Sequence, residues 1–135
     1  MSENRVTILY IEDEPEIVEL VRLILARQDY DMLTAADGPA GLELLRQQPC
    51  DLVLLDLMMP GMDGWEVLRR IRADAALQHM PVIILTAKAL AQDRDYGLHV
   101  AGAQAYVTKP FFMHDLIGTI GRVLSERSQP VVERS

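Results

Sequence analysis

The chain of 135 residues carries one cysteine, Cys50, so it cannot close an internal disulfide, and nothing resembles a zinc site. No apolar run approaches the roughly 20 residues needed to span a bilayer. The N-terminus, "MSENRVTILYIEDE", lacks the charged start and long apolar stretch of a signal peptide. These absences predict a cytoplasmic protein with no membrane insertion. Basic residues are also scarce: 13 Lys and Arg stand against 20 Asp and Glu, for a net charge of −7. Gripping duplex nucleic acid requires clustered Lys and Arg, so direct nucleic-acid binding is not expected. No Gly-Lys-Ser/Thr loop is present, and Gly61 and Gly64 make no nucleotide-binding fingerprint. They shape a turn, with Asp63 capping the helix that follows. Half of the residues are hydrophobic, which is enough for one domain with its own core.

Five apolar, β-rich segments recur: "VTILYI" (6–11), "DMLTAA" (31–36), "DLVLLD" (51–56), "PVIILT" (81–86) and "AYVTK" (105–109). Segments of helical period separate them. In the first, Ile17, Leu20, Val21, Ile24 and Leu25 form one apolar stripe, after Pro15 and acidic residues suited to capping. Asp37 and Pro39 give a second helix start, ending at Pro49. A third helix carries Val67, Leu68 and Ile71. The segment 88–102 is polar, with only Leu90, Tyr96, Leu98 and Val100 for packing, and reads as a short, lightly anchored helix. The last helix, from about Phe112 to Glu126, carries Leu116, Ile120, Val123 and Leu124. Strict alternation of strand and helix implies an α/β fold, a doubly wound parallel sheet of five strands with five helices. The tail "SERSQPVVERS" (125–135) has lost its apolar stripe and reads as a frayed end or linker stub.

Open parallel sheets bind ligands beyond the carboxyl ends of their strands. There the first strand ends in Glu12 and Asp13, the third in Asp56, the fourth in Thr86 and the fifth in Lys109. Two carboxylates about 5 Å apart repel by roughly 3 kcal/mol at an effective dielectric near 20. A hard divalent ion relieves that conflict, and oxygen-only ligands suit Mg²⁺. A metal-bound aspartate can attack a phosphoryl group to form an acyl phosphate. Lys109 could then pair with the phosphoryl group and Thr86 donate to one of its oxygens.

"ILYIEDEP", "LVLLDLMMPGMDGWEVL", "PVIILTA" and "GAQAYVTKPF", in that order and spacing, resemble the receiver domain of two-component response regulators. The likeness covers about residues 5 to 125, and implies a flavodoxin-like sheet of strand order 2-1-3-4-5. It places the receiver at 5–126, with 127–135 as a flexible tail or linker stub. By this resemblance Asp56 is the phospho-acceptor. Glu12 and Asp13 are the acidic pair that holds Mg²⁺ with Asp56 and the backbone carbonyl of Met58. Thr86 and Lys109 are the matched hydroxyl and lysine, and Tyr106 is the switch aromatic. The Lys109–Pro110 peptide is expected to be cis. Phosphorylation is expected to draw Thr86 inward, let Tyr106 turn into the vacated space, and reshape the surface of the fourth helix, fifth strand and fifth helix.

The implied partners are a sensor histidine kinase or phosphotransfer protein, a downstream protein target and, on phosphorylation, a homodimer. Pro15, Ile17, Val18, Arg22 and Phe111 are candidate kinase contacts. An aspartyl phosphatase needs a second acid two residues after its nucleophile, and Met58 occupies that place. The chain is therefore expected to catalyse only its own phosphorylation and slow dephosphorylation, with Met58 and Lys88 as lifetime-tuning positions. It is expected to stand alone and work through protein contacts, the alternative being a domain excised from a longer regulator with a C-terminal output domain. Winged-helix regulators of the family carry Asp-Asp before the switch tyrosine and a basic residue on the last helix, where this chain has Gln104-Ala105 and Thr119. The remaining features have plainer readings. His79, His99 and His114 are surface residues, Met58, Met59 and Met62 pack the loop, Cys50 is a small buried filler, and Trp65 is partly exposed.

Overall fold

The computed structural model describes residues 5–127. The strands are β1 (Thr7–Ile11), β2 (Asp31–Ala35), β3 (Leu52–Leu55), β4 (Val82–Thr86) and β5 (Ala105–Thr108). The helices are α1 (Pro15–Ala26), α2 (Gly38–Gln47), α3 (Gly64–Ala73), α4 (Ala91–His99) and α5 (Met113–Arg127). All strands are parallel, in the order β2-β1-β3-β4-β5. Each observed strand is one or two residues shorter than its apolar segment, because Val6, Ala36, Asp51, Asp56, Pro81 and Lys109 lie outside the strands.

Alternating side chains on the central strands feed two cores. Ile8, Tyr10, Leu52, Leu54, Ile83 and Leu85 pack with Val21, Leu25, Leu116, Ile120 and Val123 of α1 and α5. Leu9, Ile11, Val53, Leu55 and Ile84 pack with Leu42, Leu45, Val67, Leu68 and Ile71 of α2 and α3. Both faces of the central strands are covered, which is why these segments read as unbroken apolar runs.

The helix starts differ in how they are capped. Asp37 and Asp63 accept the backbone N–H of Ala40 and Glu66 at 2.8 and 3.0 Å. Glu14, ahead of α1, makes no side-chain cap, and its own N–H donates to Glu12 Oε2 at 3.3 Å. The expected stripe of α1 is also narrower than its spacing suggested. Leu20 and Leu25 stand about 140° apart at about 100° per residue. The helix is rolled toward Val21, Ile24 and Leu25, leaving Leu20 exposed.

On α4 only Gly97 is buried; Leu90 ahead of it, Tyr96 within it and Val100 behind it face solvent. A Cβ at Gly97 would stand 3.1 Å from both Ile84 Cδ1 and the Tyr106 ring, so the missing side chain lets α4 lie over β5. Trp65 of α3 meets Tyr96 edge to face, with centroids 4.9 Å apart. Arg72 of α3 donates to the carbonyls of Gln78, Met80 and Gly102 and to Gln104 Oε1.

Helix α5 remains regular through Arg127, past the expected fraying point. Arg127 Nη1 donates to Asp51 Oδ1 at 2.8 Å, and Asp51 Oδ2 accepts the Thr7 N–H at 2.8 Å. The rest of the expected tail, 128–135, lies outside the described residues. Among the described residues no helix is long and apolar enough to cross a membrane.

Candidate functional site

Parallel register carries the end of each central strand to one edge. Ile11 pairs with Leu55, so Glu12 and Asp56 emerge side by side. Thr86 pairs with Thr108, one residue short of Lys109. Backbone bonds extend this order: the Asp56 N–H donates to the Ile11 carbonyl at 3.1 Å, and the Lys109 N–H to the Thr86 carbonyl at 2.8 Å. The Lys109–Pro110 peptide is cis.

Carboxylate oxygens of Glu12, Asp13 and Asp56 lie within 4.8 Å of one another. Glu12 and Asp56 are buried. Lys109 Nζ stands 2.6 Å from Glu12 Oε1, 3.7 Å from Asp56 Oδ2 and 3.9 Å from Glu14 Oε1. Among the described residues no other basic side chain pairs with this cluster, so three carboxylates face one ammonium. Burial pushes the Glu12 carboxyl above its usual range, against the pull of the Lys109 hydrogen bond and with the push of the Asp56 charge. An oxygen-only donor set with surplus negative charge fits a hard divalent cation such as Mg²⁺.

The remaining predicted residues lie around this cluster. The Met58 N–H donates to Asp56 Oδ1 at 3.3 Å, placing its backbone beside that carboxylate. Its side chain is 56% exposed, so of the three loop methionines only Met59 is buried and Met62 is packed against the core. Thr86 is fully buried, and its hydroxyl oxygen accepts the Lys88 N–H at 3.3 Å. Tyr106 is also buried, its hydroxyl donating to the Lys88 carbonyl at 2.8 Å. Its ring therefore lies inside the fold, against the segment that follows Thr86. Burial, then the charge of Asp93, raises the Tyr106 hydroxyl pKa above its ordinary value. Arg94 donates to the Tyr106 carbonyl at 2.9 Å, and Lys88 pairs with Asp93 at 3.5 Å.

Of the candidate kinase contacts, Pro15, Val18 and Arg22 line an open cleft beside Glu12 and Asp13. Ile17 and Phe111, like Val18, pack against the α1–α5 core. Cys50 is half-buried rather than fully enclosed, and its thiol donates to the Leu52 carbonyl at 3.2 Å.

One residue of the site went unread in the sequence. Tyr10 has the appearance of a strand residue, yet its hydroxyl donates to Glu12 Oε1 at 2.9 Å. A tyrosine two residues ahead of an acid on a buried strand was the available signal, since two residues along a strand return to the same face.

Comparison with known proteins gives a consistent result. A family model described as response regulator receiver domain matches residues 8–121. The response regulator GtcR of Aneurinibacillus migulanus is 43% identical over 105 residues, covering 78% of this chain and 42% of that protein. The transcriptional regulatory protein AfsQ1 of Streptomyces coelicolor is 43% identical over 128 residues, covering 95% of this chain and 52% of that protein. The chain thus spans about half the length of the curated relatives it matches. Among solved structures, the signal receiver domain of a signal transduction histidine kinase from Syntrophus aciditrophicus superposes with a TM-score of 0.83 at 30% identity, covering 93% of this chain and 94% of that one.

Proposed function

Because this chain belongs to the response regulator receiver family of two-component signalling, we propose that it accepts a phosphoryl group on Asp56 and thereby changes its hold on a protein partner. The observation that carries this reading is the placing of Asp56. It is a buried carboxylate at the end of a central strand, with two further acids within 4.8 Å and an ammonium 3.7 Å away.

An Asp56 oxygen forms the bond to phosphorus while the phosphorus–nitrogen bond of a phosphohistidine donor breaks and the imidazole leaves. Asp13, Asp56 and the Met58 carbonyl, with Glu12 beside them, would hold Mg²⁺, which supplies positive charge against the phosphoryl oxygens. Lys109 pairs with the transferred group as a point charge, and the Thr86 hydroxyl donates to one of its oxygens. With Met58 in place of a second acid, the domain acts on itself and does not turn over outside substrates.

Output runs through Thr86 and Tyr106. Thr86 and Tyr106 both bond to the Lys88 backbone, so a hydroxyl drawn toward a phosphoryl oxygen alters the segment that also receives Tyr106. The thin packing of α4 makes the surface of α4, β5 and α5 the part that shifts. The donor is a histidine kinase or phosphotransfer protein. The recipient is a protein target or a second copy of the chain. A second reading, a receiver within a longer regulator, is favoured by the half-length coverage of the curated relatives.

Native intact mass with Mg²⁺ and beryllofluoride tests the proposal. A metal-dependent adduct on wild type but not on Asp56→Asn supports it, and the same spectra show any dimer. Wild type without an adduct overturns it.

A further inference from the structure

Tyr10 is completely buried among the aliphatic side chains of the α1–α5 core. A phenylalanine would fill that space as well, so packing alone does not account for the hydroxyl. The hydroxyl donates to Glu12 Oε1 at 2.9 Å. Lys109 Nζ is on the same oxygen at 2.6 Å, while among the described residues Glu12 Oε2 receives only the longer contact from the Glu14 N–H at 3.3 Å.

The terminal torsion of a glutamate has broad, shallow preferences, so its carboxylate plane is set by the donors around it. Here two donors converge on one oxygen. One is anchored rigidly in a central strand, the other on a long, flexible stem. The rigid donor fixes the oxygen, and the oxygen fixes the ammonium.

We infer that Tyr10 is a positioning residue for phosphoryl transfer. Its hydroxyl commits Glu12 Oε1 to Lys109 and so sets where Lys109 stands relative to Asp56, now 3.7 Å. This rests on the reading of Asp56 as the acceptor. Glu12 is left with Oε2 alone to offer a cation. Without the hydroxyl, Oε1 can turn toward the same cation, and Lys109 moves with it. Transfer then slows because the ammonium is misplaced, while the affinity for the cation is not lost.

The test uses the full chain as wild type, Tyr10→Phe, Glu12→Asp and the double variant, with phosphoramidate as donor. An Asp56 oxygen bonds to phosphorus as the phosphorus–nitrogen bond breaks and ammonia departs. Initial rates are read by intact mass across a Mg²⁺ titration. Tyr10→Phe should lower the rate at saturating Mg²⁺ about 5- to 10-fold, with half-saturation unchanged within about twofold. Glu12→Asp keeps the charge but draws the carboxylate one methylene away from the hydroxyl. In that background Tyr10→Phe should cost less than about twofold, because the interaction is already gone.

A full rate for Tyr10→Phe, or the same factor in both backgrounds, overturns the inference. Wild type that takes no phosphoryl group overturns both this inference and the acceptor reading; wild type that does, with an unaffected Tyr10→Phe, overturns this one alone. Should Tyr10→Phe fail to fold, Tyr10→4-fluorophenylalanine, which fills the space of the hydroxyl without donating, decides: the same rate loss at unchanged half-saturation supports the role, and a wild-type rate removes it.

Discussion

Substituting Gly64 by alanine should damage both stability and the site, because of what the new methyl would strike. Gly64 opens α3 directly after its cap, Asp63, and its N–H donates to the Leu57 carbonyl at 3.1 Å. A Cβ there would stand 2.4 Å from the Asp56 carbonyl oxygen and 2.7 Å from Leu57 Cα. Both are backbone atoms, so restoring normal separation moves the loop or the helix by about 1 Å. Overpacking of that kind costs about 3 kcal/mol, the upper end of its usual range. With unfolding entropy near 2.1 cal/mol/K per residue, a chain this size loses about 10 °C in its midpoint. The displaced carbonyl belongs to Asp56 itself, and an error of about 1 Å at a reacting group can cost about 100-fold in rate. Gly41→Ala is the control. Its Cβ would meet Ile11 Cδ1 at 2.4 Å and Cγ1 at 2.8 Å, so the strain falls on a buried side chain and not on the backbone of the site. That variant should lose some stability and keep its phosphorylation rate. Thermal unfolding and phosphoramidate labelling read the two effects. Gly64→Ala melting within about 3 °C of wild type, at the wild-type rate, would refute the steric reasoning.

On α5 the opposite holds: Gly118 and Gly121 have nothing within 4 Å of an added Cβ, so alanine at each should stabilise by about 0.5–1 kcal/mol, and a lower midpoint would contradict this. Glu66 is held at a pKa of about 2 by its hydrogen bonds to Arg69 and Arg70, against an ordinary 4.5. Its stabilisation is therefore complete above about pH 4.5 and is lost as the pH falls toward 2, so Glu66→Gln should flatten that limb of an acid-unfolding curve. Identical acid limbs in the two proteins would count against the pairing. Met58→Asn puts an amide able to orient water beside Asp56 and should speed decay of the phospho-form; equal decay rates would refute the role given to that position.

Much of this architecture was legible in the sequence because its signals are periodic or positional. Apolar runs marked the strands, Asp37 and Asp63 marked two helix starts, and parallel order alone sent Glu12, Asp13, Asp56, Thr86 and Lys109 to one rim. Amphipathic spacing gives the width of a stripe and not its roll, so the exposure of Leu20 was invisible. The acids before α1 looked like caps, but the Glu14 N–H is turned to the Glu12 side chain. The contacts that cross the chain left no local trace. Arg72 reaches Gly102 and Gln104, and the Tyr106 hydroxyl bonds to the Lys88 backbone. The Tyr10 hydroxyl was hidden for another reason: an aromatic in a buried strand already has an adequate explanation.

The clasp of Arg127 on Asp51 fixes where α5 finishes. It finishes beside the starts of β1 and β3, whereas the carboxylates sit beyond the ends of those strands. The two poles are separated by the length of a strand, about 16 Å at 3.3 Å per residue. A dye, tag or surface tether attached after Arg127 therefore leaves the reactive mouth unobstructed. Immobilised that way, the domain would present its chemistry outward to whatever is flowed across it.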